Sequence, residues 1–133
     1  MITAAAANRF FAIPPNDPNF EITASHMFFR PVRLLSVNPH SHVRGKAFKY
    51  ELIYPDGKTD VILDLPRYDF NWQIEHQFAT PVDAPAGSRL QVTAWYDNST
   101  RNPANPDPSK AVKFGEQTWE EMMIGYFTGY VLK

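Results

Sequence analysis

The chain has 133 residues, with 13 basic and 14 acidic side chains, a formal net charge of -1, and 44% apolar and 14% aromatic residues. That length fits one domain, and the near-neutral charge argues against a nucleic-acid binder, which would need a basic stripe to neutralise phosphates. With no cysteine, disulfides, thiolate zinc sites, iron–sulfur clusters and cysteine nucleophiles are excluded, so a soft metal site must draw on the four histidines and four methionines.

The opening Met-Ile-Thr-Ala-Ala-Ala-Ala is too short for a signal-peptide core and has no basic residue ahead of it. No later run reaches the roughly 18 apolar residues of a membrane span. Residues 1–12 read as an N-terminal extension and 13–133 as the domain. Twelve prolines leave few windows for a long helix, and alternation at period two dominates, so the elements read as strands. After the turn-rich Ile13-Pro14-Pro15-Asn16-Asp17-Pro18, strands are expected at 20–29 and 32–37. Segments 46–54 and 58–65 flank Pro55-Asp56-Gly57 and read as a hairpin closed by an Asp-Gly turn. Residues 70–78 alternate again, with Phe70, Trp72, Ile74, His76 and Phe78 on one face. Ala84-Pro85-Ala86-Gly87 breaks the chain before a strand at 89–96. The proline-bearing stretch 97–110 reads as a long ordered loop, and its Asn98-Ser99-Thr100 matches a glycosylation sequon, a pattern frequent by chance. A short helical turn is expected at 118–121 and a last strand at 122–131. The expected fold is all-β, an antiparallel jelly-roll-like sandwich in a single domain.

Two clusters could carry chemistry. In His40-Ser41-His42, residues two apart on an extended backbone share a face, so both imidazoles can converge on one ion. Two isolated histidines do not by themselves make a metal site, and two loop histidines are the plainer alternative. In Glu120-Glu121-Met122-Met123, strand geometry puts Met122, Ile124, Tyr126, Thr128 and Tyr130 on one face. A thioether is a soft ligand suited to Cu(I), and a gap-filling core methionine is the alternative. The glutamate pair reads as a turn cap or a solvent-facing pair, with a hard-metal carboxylate as the alternative. His26 and His76 sit in alternating strands and read as structural. No Ser-His-Asp order, phosphate-binding glycine loop or His-Glu-x-x-His motif is present.

The run Pro39-His40-Ser41-His42-Val43-Arg44-Gly45-Lys46 and the distant Glu120-Glu121-Met122 followed by an aromatic strand resemble the C-terminal, catalytic-copper domain of the copper type II ascorbate-dependent monooxygenases. Peptidylglycine α-hydroxylating monooxygenase and dopamine β-monooxygenase are members of that family. Tyr54-Pro55-Asp56-Gly57, Arg67-Tyr68-Asp69-Phe70-Asn71-Trp72 and Gly115-Glu116-Gln117-Thr118-Trp119 are similar to bacterial relatives of the domain. The resemblance implies one copper ion held by His40, His42 and Met122, with O2 activation there and C–H hydroxylation of a small organic substrate at the expense of a reductant. It implies Tyr126 on the substrate side, and a periplasmic or extracellular setting. The chain departs from the peptide-hydroxylating members at Asn38, where they carry arginine, and at Ile124, where they carry asparagine, so their substrate is not implied. Family enzymes also carry a preceding domain whose three histidines bind a second copper, and only His26 and His76 are left over here. A non-catalytic copper-binding or partner-binding sandwich is the alternative.

Overall fold

Side chains that alternate along an extended backbone bury one face and wet the other, and pairs of such faces close into a sandwich. In the computed structural model, which describes residues 1–133, ten strands form: β1 (Ile2–Asn8), β2 (Ala12–Ile13), β3 (Phe20–Met27), β4 (Val32–His40), β5 (Gly45–Ile53), β6 (Thr59–Leu65), β7 (His76–Ala84), β8 (Arg89–Tyr96), β9 (Val112–Lys113) and β10 (Met123–Val131). Two four-stranded sheets have the orders β1-β10-β4-β7 and β3-β8-β5-β6, and β2 and β9 make a separate short ladder. All the ladders are antiparallel. The hydrogen-bonded pairs β1·β10, β4·β7, β3·β8 and β5·β6 nest in sequence like a folded hairpin wrapped around a barrel, which is the jelly-roll arrangement. The expected fold class is therefore the observed one. No helix is long and apolar enough to cross a membrane.

The core lies between the two sheets. Val32, Leu34, Val37, Met123 and Phe127 of one sheet face Phe48, Tyr50, Leu52, Leu90, Val92 and Tyr96 of the other, all essentially inaccessible. Tyr50 and Tyr96 carry polar tips into this space, and each finds a backbone acceptor, on β10 and just ahead of it. The Tyr50 hydroxyl donates to the Tyr126 carbonyl at 3.0 Å and the Tyr96 hydroxyl to the Met122 carbonyl at 2.6 Å. Gly125 permits the close approach, because a Cβ there would lie 2.6 Å from Val92 Cγ2 and 3.1 Å from the Tyr50 hydroxyl.

Three segments differ from the sequence reading. Residues 1–12 do not stand apart from the sandwich: β1 pairs with β10 from Ile2↔Gly129 to Asn8↔Met123, and Ala6 joins the core. The alternation at 70–78 yields a strand only from His76, which pairs with Val37. Ahead of it, the Asp69 carboxylate accepts from Asn71 N and the Asp69 carbonyl from Trp72 N, so a turn forms and leaves Trp72 and Ile74 exposed. Segment 118–121 makes a single turn, closed by Glu120 N donating to Gln117 O, and no helix. The Asp-Gly hairpin forms as expected, with Gly57 at φ 92°.

The connections 9–19, 41–44, 66–75 and 97–122 gather at one end of the sandwich. Asn16 N donates to Pro108 O, Asn98 N to Asp17 O, Tyr68 N to Lys46 O and Asp97 N to Arg44 O, all at 2.7–2.9 Å. The Asn98 side chain organises the long loop. It donates to Pro14 O and Lys110 O and accepts from Arg44 and Asn105. Fully buried, it offers no amide for a glycan in the folded chain.

Candidate metal centre

His40 ends β4 and His42 lies two residues on, at the loop end of the sandwich. Their rings stand 5.4 Å apart between centroids and nearly perpendicular, at 85°. The Nδ1 atom of each ring is already engaged. Gln73 Nε2 donates to Phe70 O, which turns its Oε1 toward His40 Nδ1 at 2.6 Å. His42 Nδ1 lies 3.1 Å from the Glu120 carbonyl, which can only accept. Both Nδ1 atoms therefore carry the proton, and such a commitment is what fixes the tautomer of metal-binding histidines. Burial holds His42 below the ordinary imidazole value of 6.5, and the nearby His40 acts in the same direction, against the carbonyls of Glu120 and Gln117. His42 is thus neutral, and able to coordinate, at neutral pH.

Met122 immediately precedes β10, half-buried. The β10·β4 ladder pairs Ile124 with His40, so the same antiparallel register carried two residues further sets Met122 opposite His42. The backbones of His42 and Met122 do meet, since both N–H groups donate to Glu121 Oε1 where β4 runs out and β10 begins. No group of three histidine, aspartate or glutamate side chains gathers anywhere in the chain, so a metal here would be held by two imidazoles and a thioether. Two imidazoles with committed Nδ1 protons, together with a thioether, would fit copper in donor chemistry. Tyr126 pairs with Asn38 on the neighbouring strand, and its ring centroid lies 6.3 Å from that of His40. It lines a shallow groove of about 360 Å³ with Thr3, Ser36, Asn38, Glu75 and Thr128. His26 packs edge-on against Phe28 and Phe127 at 5.1 and 5.0 Å, and His76 pairs with Val37; neither joins the centre.

The residue whose role the sequence did not reveal is Glu121. It does not face solvent: its side chain is fully buried. One oxygen, Oε1, accepts from His42 N at 2.7 Å and from Met122 N at 3.2 Å. The other, Oε2, accepts from Arg44 N at 2.9 Å and lies 3.9 Å from the Arg44 guanidinium. Burial pushes the Glu121 carboxyl up to about 7, while the three N–H groups and Arg44 pull it down. Arg44 is itself buried, and donates to Asn98 Oδ1 and the Trp119 carbonyl. Its partner Glu120 does cap the turn, its Oε1 accepting from Gln117 N. Tyr68 holds the residue between the two histidines, donating to Ser41 O at 2.8 Å and accepting from Ser41 N at 3.1 Å. The adjacency of Glu121 to Met122 was the one available signal in the sequence.

No protein-family model matches the chain, and no curated protein does. Among solved structures, the crystal structure of the infectious bursal disease virus VP2 subviral particle is similar at 13% identity and a TM-score of 0.43, over 95% of this chain and 30% of that one. The chain thus spans less than a third of that neighbour.

Proposed function

We propose that His40, His42 and Met122 hold one copper ion and that the domain is the oxygen-activating half of a copper-dependent monooxygenase, as its resemblance to the copper type II ascorbate-dependent family implies. The observation that carries the reading is the pair of imidazoles 5.4 Å apart with both Nδ1 protons committed. A bound copper ion would supply one-electron chemistry and O2 activation for hydroxylating a C–H bond of a small organic substrate. The protein's own part is to hold the imidazoles in one tautomer through Gln73 and the Glu120 carbonyl, and to keep the sulfur of Met122 close to them. The groove lined by Tyr126 offers hydroxyl, amide and carboxylate groups beside His40 for orienting a substrate. Electrons would come from a partner carrying a second copper, as in the family's preceding domain. This chemistry suits a periplasmic or extracellular setting.

A second reading, a copper-binding module without turnover, is favoured by the remaining histidines. His26 is packed between aromatic rings and His76 lies within a ladder, so this chain supplies no second histidine centre.

Cu(I) titration of the purified protein tests the assignment, with about one equivalent expected for one set of donors. His42→Ala should abolish uptake, and stoichiometric binding by that variant would refute the site. Met122→Ile should weaken Cu(I) far more than Cu(II), since the thioether prefers the reduced ion; equal losses would make Met122 a packing residue only. X-ray absorption of the copper-loaded protein should show two nitrogen donors and one sulfur.

A further inference from the structure

We infer that Glu121 is a positioning residue that fixes Met122 relative to the imidazole pair, with its Oε1 atom as the common point of attachment. The inference rests on the copper reading above and adds a residue to it. The Oε1 atom takes the backbone N–H of His42, 79 positions away in sequence, and that of its neighbour Met122. Oε2 takes the N–H of Arg44, so the carboxylate spans the turn that follows His42. A single rigid group therefore links the backbone of an imidazole residue to that of the thioether residue.

The two sides of this link are not equally supported. The imidazole pair has ties of its own: Gln73 on His40, the Glu120 carbonyl on His42, and Tyr68 on Ser41 between them. Met122 precedes the first laddered residue of β10, Met123, which pairs with Asn8. Its remaining backbone tie is its carbonyl, which accepts from Tyr96. Removing the carboxylate should therefore leave two imidazoles in place and free the thioether to drift from them. The chemistry of the residue points the same way. A buried carboxylate is expensive, and a well-packed apolar group of similar volume would often serve stability as well. What an apolar group cannot do is accept three N–H groups at fixed positions. A carboxylate has acceptor sites only, whereas glutamine would turn an NH2 group toward one of those donors.

The test uses the full chain with Glu121→Gln, and Glu121→Asp, which keeps the charge and retracts it by one methylene. The metal-free protein is followed first by amide hydrogen exchange. Faster exchange at His42, Arg44 and Met122, with Tyr50 and Val92 in the opposite sheet still protected, is the expected result for a folded variant with the link cut. Cu(I) affinity in Glu121→Gln should fall about 10- to 100-fold, the usual loss on removing a supporting group behind a metal ligand. Sulfur scattering should disappear from its X-ray absorption spectrum, while Cu(II), held by the two imidazoles, should change by less than about threefold. Wild-type Cu(I) affinity with sulfur retained in Glu121→Gln overturns the positioning role and leaves the copper reading standing. If the wild-type chain itself takes up no Cu(I), the copper reading falls and the metal role of Glu121 falls with it. Should the glutamine variant not fold, Glu121→Asp is read by the same three measurements and against the same outcomes.

Discussion

Gly45→Ala should destabilise the domain by about 3 kcal/mol, although it adds only a methyl group. A Cβ at this position would overlap Ser41 Oγ and would lie 2.7 and 2.8 Å from Cδ1 and Cε1 of Tyr68. The serine hydroxyl can rotate away. The tyrosine ring cannot easily follow, because its hydroxyl is bonded to both Ser41 N and Ser41 O, and its centroid lies 5.3 Å from that of the Phe48 ring. Overpacking of a filled core costs about 1–3 kcal/mol, and losing one of the two hydrogen bonds at buried backbone groups adds about 1 kcal/mol. For a chain of 133 residues, the sum lowers the melting temperature by about 10 °C. Urea unfolding should show a lower midpoint with an unchanged slope. Because Ser41 sits between the two imidazoles, Cu(I) affinity should fall in the same variant. A loss below about 0.5 kcal/mol, far under the usual cost of overpacking, or full rescue by adding Ser41→Ala, would refute the view that Tyr68 is the immovable neighbour.

Tyr50→Phe and Tyr96→Phe each remove a hydroxyl from a backbone carbonyl and should each cost about 1 kcal/mol in urea unfolding. Only Tyr96→Phe should also weaken Cu(I), because its acceptor is the Met122 carbonyl; equal effects on the metal would separate that bond from the centre. Burial against Phe28 and Phe127 holds His26 below 6.5. The unfolded chain therefore binds the proton first, and this stability is lost as pH falls below about 6.5 toward the folded value. His26→Phe should remove that part of the slope. Glu121, raised from 4.5 to about 7, works in the opposite direction between those values. The quantity to measure is therefore the difference between wild type and His26→Phe, and a difference that does not vary with pH would refute it.

Most of the sandwich was legible because alternation and turn chemistry are local. The strand at 89–96 and the Asp-Gly hairpin needed nothing beyond their own residues. The misread strand at 70–78 shows the limit. Phe70, Trp72 and Ile74 alternate as a buried strand would, yet no neighbouring strand offers them a ladder, and Asp69 turns the chain instead. β1 was missed for the converse reason: its run of alanines carries little apolar signal, and only pairing with β10 makes it a strand. At the candidate site, the His-x-His spacing and the thioether could be read directly. The support behind them could not. Glu121 looks like any acidic residue in a turn until the fold brings His42 and Arg44, 79 and 77 positions away, onto its two oxygens. Gln73 is likewise an ordinary loop residue until its amide meets His40.

The pairing of β1 also decides how any larger assembly could be wired. Asn8 lies opposite Met123, at the loop end that carries His42 and Met122, while Ile2 lies opposite Gly129, six residues further along β10. At a strand rise of about 3.3 Å per residue, Ile2 is about 20 Å from that corner. Polypeptide joined ahead of Ile2 would leave the sandwich at its remote pole. A covalently attached electron donor would have to double back along the outer surface of the β1-β10-β4-β7 sheet, past the exposed Tyr130 and Tyr126. A separate donor could approach the loop end directly.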